Sequence, residues 1–597
     1  MPQALPAIGA ILSAAGGAVS AGFGAVSAFA ATGIGGFLLK VGLAFGISFL
    51  AQALFRPKGP SPEDVQTEIR ESVRPRVRHY GRVKASGVVV FIGTRASRLH
   101  KVLAIGSGEI DGVEEIWQDD NYMGGTLRAW VAPKRPPLLE SGAEFEAPYT
   151  KARTWVDVRL GTASQTAFSG VVAGFSTWTA DHRGNGVAAA HVVLNDPPSD
   201  ELSRVFPNVA RTNFSFVLRG AKLFDPRDNG TRWDDNAAMV VRDYLTHPDG
   251  MRMPSTLFET PLAVAGWQNA ARRCDDQMPT PDGTESRYRL WGSYTMDERP
   301  ADVLQRMQAG CDGRLIPTAD GGLTLDVGSW RAPTVTLDEN TITGFVSLRR
   351  GRDVRTSANV VKASFLNPAA NYATDEADPW INQTSVAERG EIPADTSFIM
   401  APSHSQARRL MKQFAARANP DWVGTFALDL GGLACIGERF VRIDYTMPGG
   451  VRVNGTFEIQ DLDLDITPEG VLRGCTIDVV ALDAEAFAFS AAECGQAPVA
   501  TLTFGAAAVP RANTPDAVVV DDNGTLSIVV TITDAASSQL STELEQFDGA
   551  WKALPYDPDT LSASVPATAG EVCQFRARLI GFDGKAGPYS ATRTITA

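Results

Sequence analysis

"LRGAKLFDPRDNGTRWDDNAAMVVRDYLTHPDG", Leu218 to Gly250, changes its periodicity midway, and that change decides how the chain is read. Its first residues close a β-rich run, "TNFSFVLRGAKLFD", from Thr212 to Asp225. Pro226 then forces Asp225 into an extended or turn conformation, because the pyrrolidine ring crowds the residue before it. After Trp233, the residues Ala237, Ala238, Val241 and Leu245 recur at helical spacing. A helix therefore follows the strand, docked through one aromatic anchor, Trp233, which is expected to be buried. The block reads as scaffold and not as chemistry.

Outward from this block, short β-rich runs alternate with Gly, Pro, Asn and Asp turns: "GVVVFIG" from Gly87, "TWVDVRLG" from Thr154 and "VAAAHVVLND" from Val187. Such spacing predicts barrel or sandwich pieces. Two downstream stretches have helical periodicity. In "DERPADVLQRMQAGCDG" the stripe is Val303, Leu304, Met307 and Cys311, with Pro300 in the first turn and Gly310 and Gly313 at the end. In "SHSQARRLMKQFAARANP" it is Ala407, Leu410, Met411 and Phe414, with Ser403 or Ser405 as cap and Pro420 as stop. Both are short and amphipathic, so each is expected to lie on a sheet. "FEIQDLDLDIT" switches parity between Ile459 and Leu462, which predicts a bulge and sets Asp461, Asp463 and Asp465 on an exposed face.

From about Ala500 the chain reads as a separate unit. "VVVDDNGTLSIVVTITD" is two strands around an Asn523-Gly524 turn. "CQFRARLIGFDGKAGPYS" alternates apolar and basic residues and resembles a fibronectin type III module, with Phe575, Ala577 and Leu579 inward and Arg576 and Arg578 outward.

The other end is different. Up to Phe55 the only charged side chain is Lys40, and "GIGGFLLKVGLAFGISFLAQALF" runs from Gly33 to Phe55. It lacks the basic start and the cleavage site of a signal peptide. A span needs about 20 apolar residues, and Lys40 interrupts this one. Gly42 and Gly46 have the small-x-x-x-small spacing that lets apolar helices approach closely, which predicts a bundle of apolar helices able to meet a membrane. The polar, proline-containing stretch after it carries clustered arginines, an arm whose cations either line a solvated strand edge or pair with acidic surface on a neighbouring subunit.

The 597 residues allow about three to five domains. The boundaries read as 1–56, an apolar helical segment; 57–98, an Arg/Pro-rich arm; 99–235, β-rich; 236–345, α+β; 346–490, β-rich with one helix; and 491–597, the sandwich-like module. With 55 Lys and Arg against 68 Asp and Glu, the net charge of −13 speaks against a nucleic-acid-binding surface. The six cysteines form no C-x-x-C pair, so buried thiols are expected, and neither zinc nor a disulfide framework. The six histidines show no H-E-x-x-H or i, i+4 pairing, and no nucleophile elbow, Walker loop or dinucleotide-binding glycine motif occurs. No catalytic, metal or cofactor residues are therefore assigned. The competing classes are a cell-wall hydrolase, which needs an acid/base or Cys/His arrangement, and a bacterial surface protein with an N-terminal anchor and a fibronectin module.

Several stretches in order carry a family likeness. These are "LAIGSGEIDGVEEIWQDD", with Gly108, Glu109, Ile110, Asp111 and Gly112 as a Gly-rich element; "RLGTASQ"; the Leu218–Gly250 block; "NVVKASFLNPAANYATDEADPW"; and "SHSQARRLMKQFAAR". Together they resemble the tip attachment (host specificity, J-type) proteins of long-tailed bacteriophages, from about Leu103 to Phe487. Asp225, Pro226, Arg227, Trp233, Asn236, Ala238, Asp243, Tyr244, Leu245 and Gly250 match the family's block; Glu109 and Ala237 stand where prolines are usual. The resemblance implies a mainly β protein with α+β parts and tail-tube-like β-barrel hub domains. It implies a homotrimer at the tail tip of the virion, assembled in the host cytoplasm, that caps the tail tube and closes the DNA channel. Implied partners are tube, distal tail and other tip proteins and a central fibre or receptor-binding protein, with DNA passing through without sequence-specific binding. Members continue into a long receptor-binding region, whereas this sequence has one sandwich-like module, so the part around Trp551 and Tyr589 is expected to attach a separate fibre or act as a spacer.

Overall fold

The computed structural model describes residues 75–119, 121–122, 144–145, 154–196, 212–351, 357–466, 471–498, 512–522, 524–533, 540–557, 560–581, 586–587 and 589–597. The apolar segment with Gly33, Lys40, Gly42, Gly46 and Phe55 lies outside the described residues, as does Asn523. Among the described residues no helix is long and apolar enough to cross a membrane.

The first unit contains β1 (Val77–Tyr80), β2 (Arg82–Ala85), β3 (Val88–Arg95), β4 (Arg98–Ser107), β5 (Ile110–Gln118), the two-residue β6 (Asn121–Tyr122) and β7 (Glu144–Phe145), and β8 (Thr154–Leu160). The short helix α1 (Ser169–Gly174) precedes β9 (Val187–Asn195), the long β10 (Phe214–Asp225) and β11 (Gly230–Trp233). One antiparallel sheet has the order β3-β4-β9-β8-β7; in the other, β10 pairs with β5 on one side and with β2 and then β11 on the other. The sheets bury Leu103, Ile105, Val156, Val158 and Val192 against Val113, Ile116, Phe214, Phe216 and Leu218 in one core. β9 is buried along nearly its whole length because α1 and the chain around it cover its outer face with Phe168 and Val171. The expected strands are all present.

A helical layer follows: α2 (Ala237–Thr246), α3 (Pro261–Asp275) and α4 (Pro300–Ala309), with the hairpins β12 (Gln277–Thr280)/β13 (Gly283–Ser286) and β15 (Arg314–Pro317)/β16 (Leu323–Asp326). Between them β14 (Gly292–Thr295) pairs with β1, tying the arm to this layer. α4 starts at Pro300 and stops at Gly310, as its sequence predicts. α3 was not foreseen. Thr260 caps it, and Ala263, Trp267, Ala270, Ala271 and Cys274 form its buried stripe. Gly266 weakens its helical pattern yet is needed there, since a Cβ would lie 2.2 Å from Thr324 Oγ1.

The chain then forms β17 (Val335–Leu337), β18 (Ile342–Arg350), β19 (Val360–Asn367), β20 (Ala373–Glu376), β21 (Trp380–Ile381), α5 (Gln383–Arg389), β22 (Pro393–Phe398) and α6 (His404–Ala418). α6 is capped by Ser403, ends before Pro420 and packs on β19, adding Leu410, Met411 and Phe414 to the helical core. With β23 (Trp422–Leu428), β24 (Phe440–Thr446), β25 (Arg452–Ile466) and β26 (Leu472–Ala481), a six-stranded sheet of order β17-β24-β25-β26-β23-β18 is completed. The expected bulge lies between Ile459 and Asp461. Asp463 and Asp465 are exposed, but Asp461 is half-buried, and burial, with Asp463 and Asp478 nearby, pushes its carboxyl up to about 6.

The expected barrels are not closed among the described residues. β17 and β18 end the six-stranded order on opposite sides, although Leu337 and Ile342, on either side of the Asp338 turn, enter the same core. β17 is only three residues long and pairs parallel to β24, which leaves too short an edge to meet β18.

The C-terminal unit packs a three-stranded sheet, β27 (Asp516–Asp522), β28 (Thr525–Thr531) and β31 (Ser562–Pro566), against four strands in the order β30 (Trp551–Ala553), β29 (Leu540–Phe547), β32 (Val572–Gly581) and β33 (Arg593–Thr596). Phe575, Ala577 and Leu579 point inward with Ile528, Val530 and Leu544. Arg576 and Arg578 lie on the outer face, paired with Glu545 and Glu543.

Candidate functional site

The Leu218–Gly250 block builds one node where the first sandwich meets the helical layer. Asp225, at the end of β10, is fully buried. Burial opposes its charge, but Arg227 grips it with Nε at 2.9 Å and Nη2 at 2.9 Å, and Arg232 adds a second cation, so its carboxyl stays below the ordinary range. Arg227 also reaches Asp275, at the end of α3, with Nη1 at 2.5 Å. Asn236 closes the circuit. Its side chain caps α2 by accepting from Ala238 N–H at 3.0 Å and donates to Ala271 O and Asp275 Oδ1, both at 2.9 Å. The Pro226 carbonyl accepts from Gln268 Nε2 at 2.9 Å. Pro226 and Arg227, in the turn after β10, fasten α3 to the strand, and Asn236 fastens it to the helix before it, α2.

The other end of α2 receives the arm. Asp243 accepts from Arg78 Nε at 3.1 Å and Nη2 at 2.9 Å and from Tyr80 Oη at 2.7 Å. Asp249 pairs with Arg76 at 3.0 Å and accepts from Ser107 Oγ at 2.8 Å. Arg82 pairs with Glu114 at 3.3 Å. These arm arginines therefore find carboxylates within the chain and do not wait for a neighbouring subunit. Tyr244 and Leu245 are buried, and Tyr244 meets Tyr294 edge-on at 4.9 Å. Gly250 folds back so closely that a Cβ would lie 2.1 Å from Tyr244 O.

Trp233 departs from expectation. It is half-buried, at the end of β11, with Arg219 over its ring at 4.3 Å and Arg82 at 5.7 Å. The short β11 places the indole on the face of the sheet that carries Arg219 and Arg82. The fully buried indole is that of Trp267 on α3, whose Nε1 donates to Leu323 O at 2.8 Å.

A second cluster escaped the sequence reading. Where the helical layer meets the six-stranded sheet, Glu458 on β25 is wholly buried. It accepts from Arg417 Nε at 2.7 Å and Arg439 Nε at 2.9 Å and pairs with Arg314 at 3.2 Å. Asp312, in a left-handed conformation at φ 48°, accepts from Arg417 Nη2 at 2.6 Å and Arg439 Nη2 at 2.5 Å. Burial resists the charge of Glu458, yet the three guanidiniums hold it well below the ordinary carboxylate range. Burial also lowers Arg314 to about 10. One signal was present: Arg417 falls on the apolar stripe of α6, three residues after Phe414.

All six cysteines are buried free thiols, as expected. Among the described residues no three His, Cys, Asp or Glu side chains gather as a metal site requires. In both clusters the charged groups are paired with one another, and their geometry can hold units in fixed orientation.

No protein-family profile matches the chain. No curated protein matches it either. Among solved structures, it is similar to a chain of the virion of a native gene transfer agent particle, at 15% identity over 77% of this chain and 97% of that one, with a TM-score of 0.46. It is similar to the 43 kDa tail protein of prophage MuSo2 from Shewanella oneidensis, at 10% identity over 69% and 98%, with a TM-score of 0.23. The sixth fibronectin type III domain of human fibronectin type III domain containing protein 3 matches 15% of this chain and 87% of its own at 18% identity, with a TM-score of 0.13.

Proposed function

We propose that the chain is a non-enzymatic structural protein of a long-tailed phage-like particle, a hub at the tail tip that caps the tube and closes the DNA channel until infection. The observation that carries this reading is the ordered set of J-type stretches, centred on the Leu218–Gly250 block. Asp225, Arg227, Asn236 and Asp243, all matched to the family's block, are committed to holding units together. A hub must transmit load between tube and tip without its own parts shearing, and buried, mutually satisfied ionic joints suit that task. The net charge of −13 favours a wall that does not retain DNA. The three-plus-four strand arrangement at the C-terminus supports the fibronectin type III reading of that unit, which serves as spacer or attachment point for a fibre or receptor-binding protein. The apolar N-terminal segment is the channel plug.

The test is the intact particle. Three copies of this chain around the tube axis, in contact with tube and distal tail proteins, are expected in an electron-microscopy reconstruction. A monomer or dimer there would overturn the trimeric hub. Clearing of a peptidoglycan-containing gel by the purified chain would overturn the non-enzymatic reading, and residence in a host membrane fraction without tail proteins would overturn the tail assignment.

A further inference from the structure

Residues 161–186, between β8 and β9, lie as a strap over the outer face of the first sandwich, and two histidines sit beneath it. His100 on β4 and His191 on β9 are both buried, with His100 Nδ1 3.1 Å from His191 Nε2 and the rings stacked at 5.3 Å. One nitrogen of that contact must donate and the other accept, so it requires an unprotonated nitrogen. The strap rests directly on the pair. Phe175 meets His100 edge-on at 5.2 Å, Phe168 lies 5.6 Å from His191, and a Cβ on Gly170 would come within 3.2 Å of His191 Cε1.

The charged surroundings favour neutrality. From the β3–β4 hairpin come Arg95, which donates to Ala173 O of the strap at 2.5 Å, and Arg98, which stacks on Trp155. From β8 come Arg159, over Phe168 at 4.6 Å, and Asp157, which stands opposite His191 in register and is held by Arg159 at 2.7 Å. The strap's own charged groups, Asp181, His182 and Arg183, are exposed, with His182 stacked on Trp178 at 4.8 Å. Burial lowers both histidines; Arg98 and Arg95 add to this at His100, and His100 and Arg159 add to it at His191, which falls to about 3.

We propose that the His100–His191 pair is a proton-sensitive clasp: protonation of both rings breaks their shared hydrogen bond, sets two cations in contact and releases the strap, uncovering the apolar face formed by Phe91, Val102 and Ala189. The clasp is independent of the hub reading, since it rests on the pair and its cover alone.

The test is amide hydrogen exchange on the full-length chain at pH 7.5 and 5.0, corrected for the intrinsic pH dependence of exchange. Each histidine that regains its ordinary value on opening shifts the opening equilibrium by about tenfold per pH unit below about 6.5, so residues 165–178 are expected to exchange about a hundredfold faster or more at pH 5.0. Amides of β10 in the same sample, which open only when the fold itself is lost, are expected to stay slower than the strap at both pH values. The variant His100→Gln/His191→Gln is expected to show a pH-independent strap. A strap unchanged by pH, a strap no faster than β10 at pH 5.0, or wild-type pH dependence in the double variant would each overturn the clasp. Should the double variant fail to fold, the strap-against-β10 comparison in the wild-type chain decides alone.

Discussion

Arg417 Nε lies 2.7 Å from Glu458 Oε2, and neither side chain reaches solvent to any extent. The pair joins α6 of the helical layer to β25 of the six-stranded sheet, so its energetics are those of a joint between units. Removing one partner of a buried pair leaves an uncompensated charge and costs about 3–5 kcal/mol. The cluster makes the partners unequal. Glu458→Ala leaves Arg314 without its carboxylate and Arg417 and Arg439 with Asp312 to share, whereas after Arg417→Ala the other two guanidiniums still hold Glu458. Glu458→Ala is therefore expected to cost about 3–5 kcal/mol and Arg417→Ala clearly less, read as midpoint shifts in denaturant unfolding. Equal losses would show that Arg314 and Arg439 do not share the charge.

The two indoles near the motif block are expected to differ in the opposite sense from a reading of the sequence alone. Trp267→Ala empties a fully buried site and loses a hydrogen bond to Leu323 O, at a cost of about 3–5 kcal/mol. Trp233→Ala removes a half-buried ring with two overlying arginines, and cation–π contacts of about 0.5–1 kcal/mol each at such sites set a loss near 1–2 kcal/mol. Parallel thermal melts check the order, and a larger loss at Trp233 would restore it as the anchor.

That reversal marks what the sequence could tell. Strands and amphipathic helices follow from local spacing, so β8, β9, β10, α4 and α6 were legible, as was the bulge after Ile459. Which side of a short edge strand faces the core is set by its partners; Trp233 points where the β10–β11 register sends it, and no local pattern records that. α3 stayed hidden because Gly266 meets a tertiary demand, the close approach of Thr324, at the expense of helical propensity. The ionic joint assembles residues from 312 to 458, each ordinary in its own segment. Of the block's residues, Asn236 was visible as part of a motif, but its link to Asp275 was not.

Acid is expected to weaken the fold. His79 donates from Nε2 to the Ile105 carbonyl at 3.0 Å, and in the neutral ring its Nδ1 accepts from Ser293 Oγ at 2.7 Å. Burial, and then Arg78 beside it, lowers its value from 6.5 to about 4. The unfolded chain thus binds the extra proton first as pH falls. Stability is full above about pH 6.5 and drops by about 1.4 kcal/mol per pH unit for this histidine between about 6.5 and 4. Melting temperatures at pH 7, 6 and 5 are expected to decline for the wild-type chain and more gently for His79→Gln. Identical slopes would remove His79 from the account.

Glycine substitutions separate close approach from mere flexibility. In Gly250→Ala the new Cβ would lie 2.1 Å from the Tyr244 carbonyl oxygen, and neither atom belongs to a side chain that can swing away. Backbone must shift, and with it the hydrogen bonds from Met251 N–H to Tyr244 O and from Met253 N–H to Leu245 O that fasten the end of α2. Overpacking of this kind costs about 1–3 kcal/mol. Asp249, one residue away, holds Arg76 and Ser107, so the arm loosens as well. Gly344 on β18 is the control: a Cβ there meets nothing within 4 Å, and its φ is not left-handed. Gly344→Ala is expected to be neutral or to stabilise by about 0.4–1 kcal/mol, through loss of unfolded-chain freedom. Urea unfolding of the two variants beside the wild type reads both signs at once, and a Gly250→Ala chain as stable as Gly344→Ala would mean that the turn after α2 yields without cost.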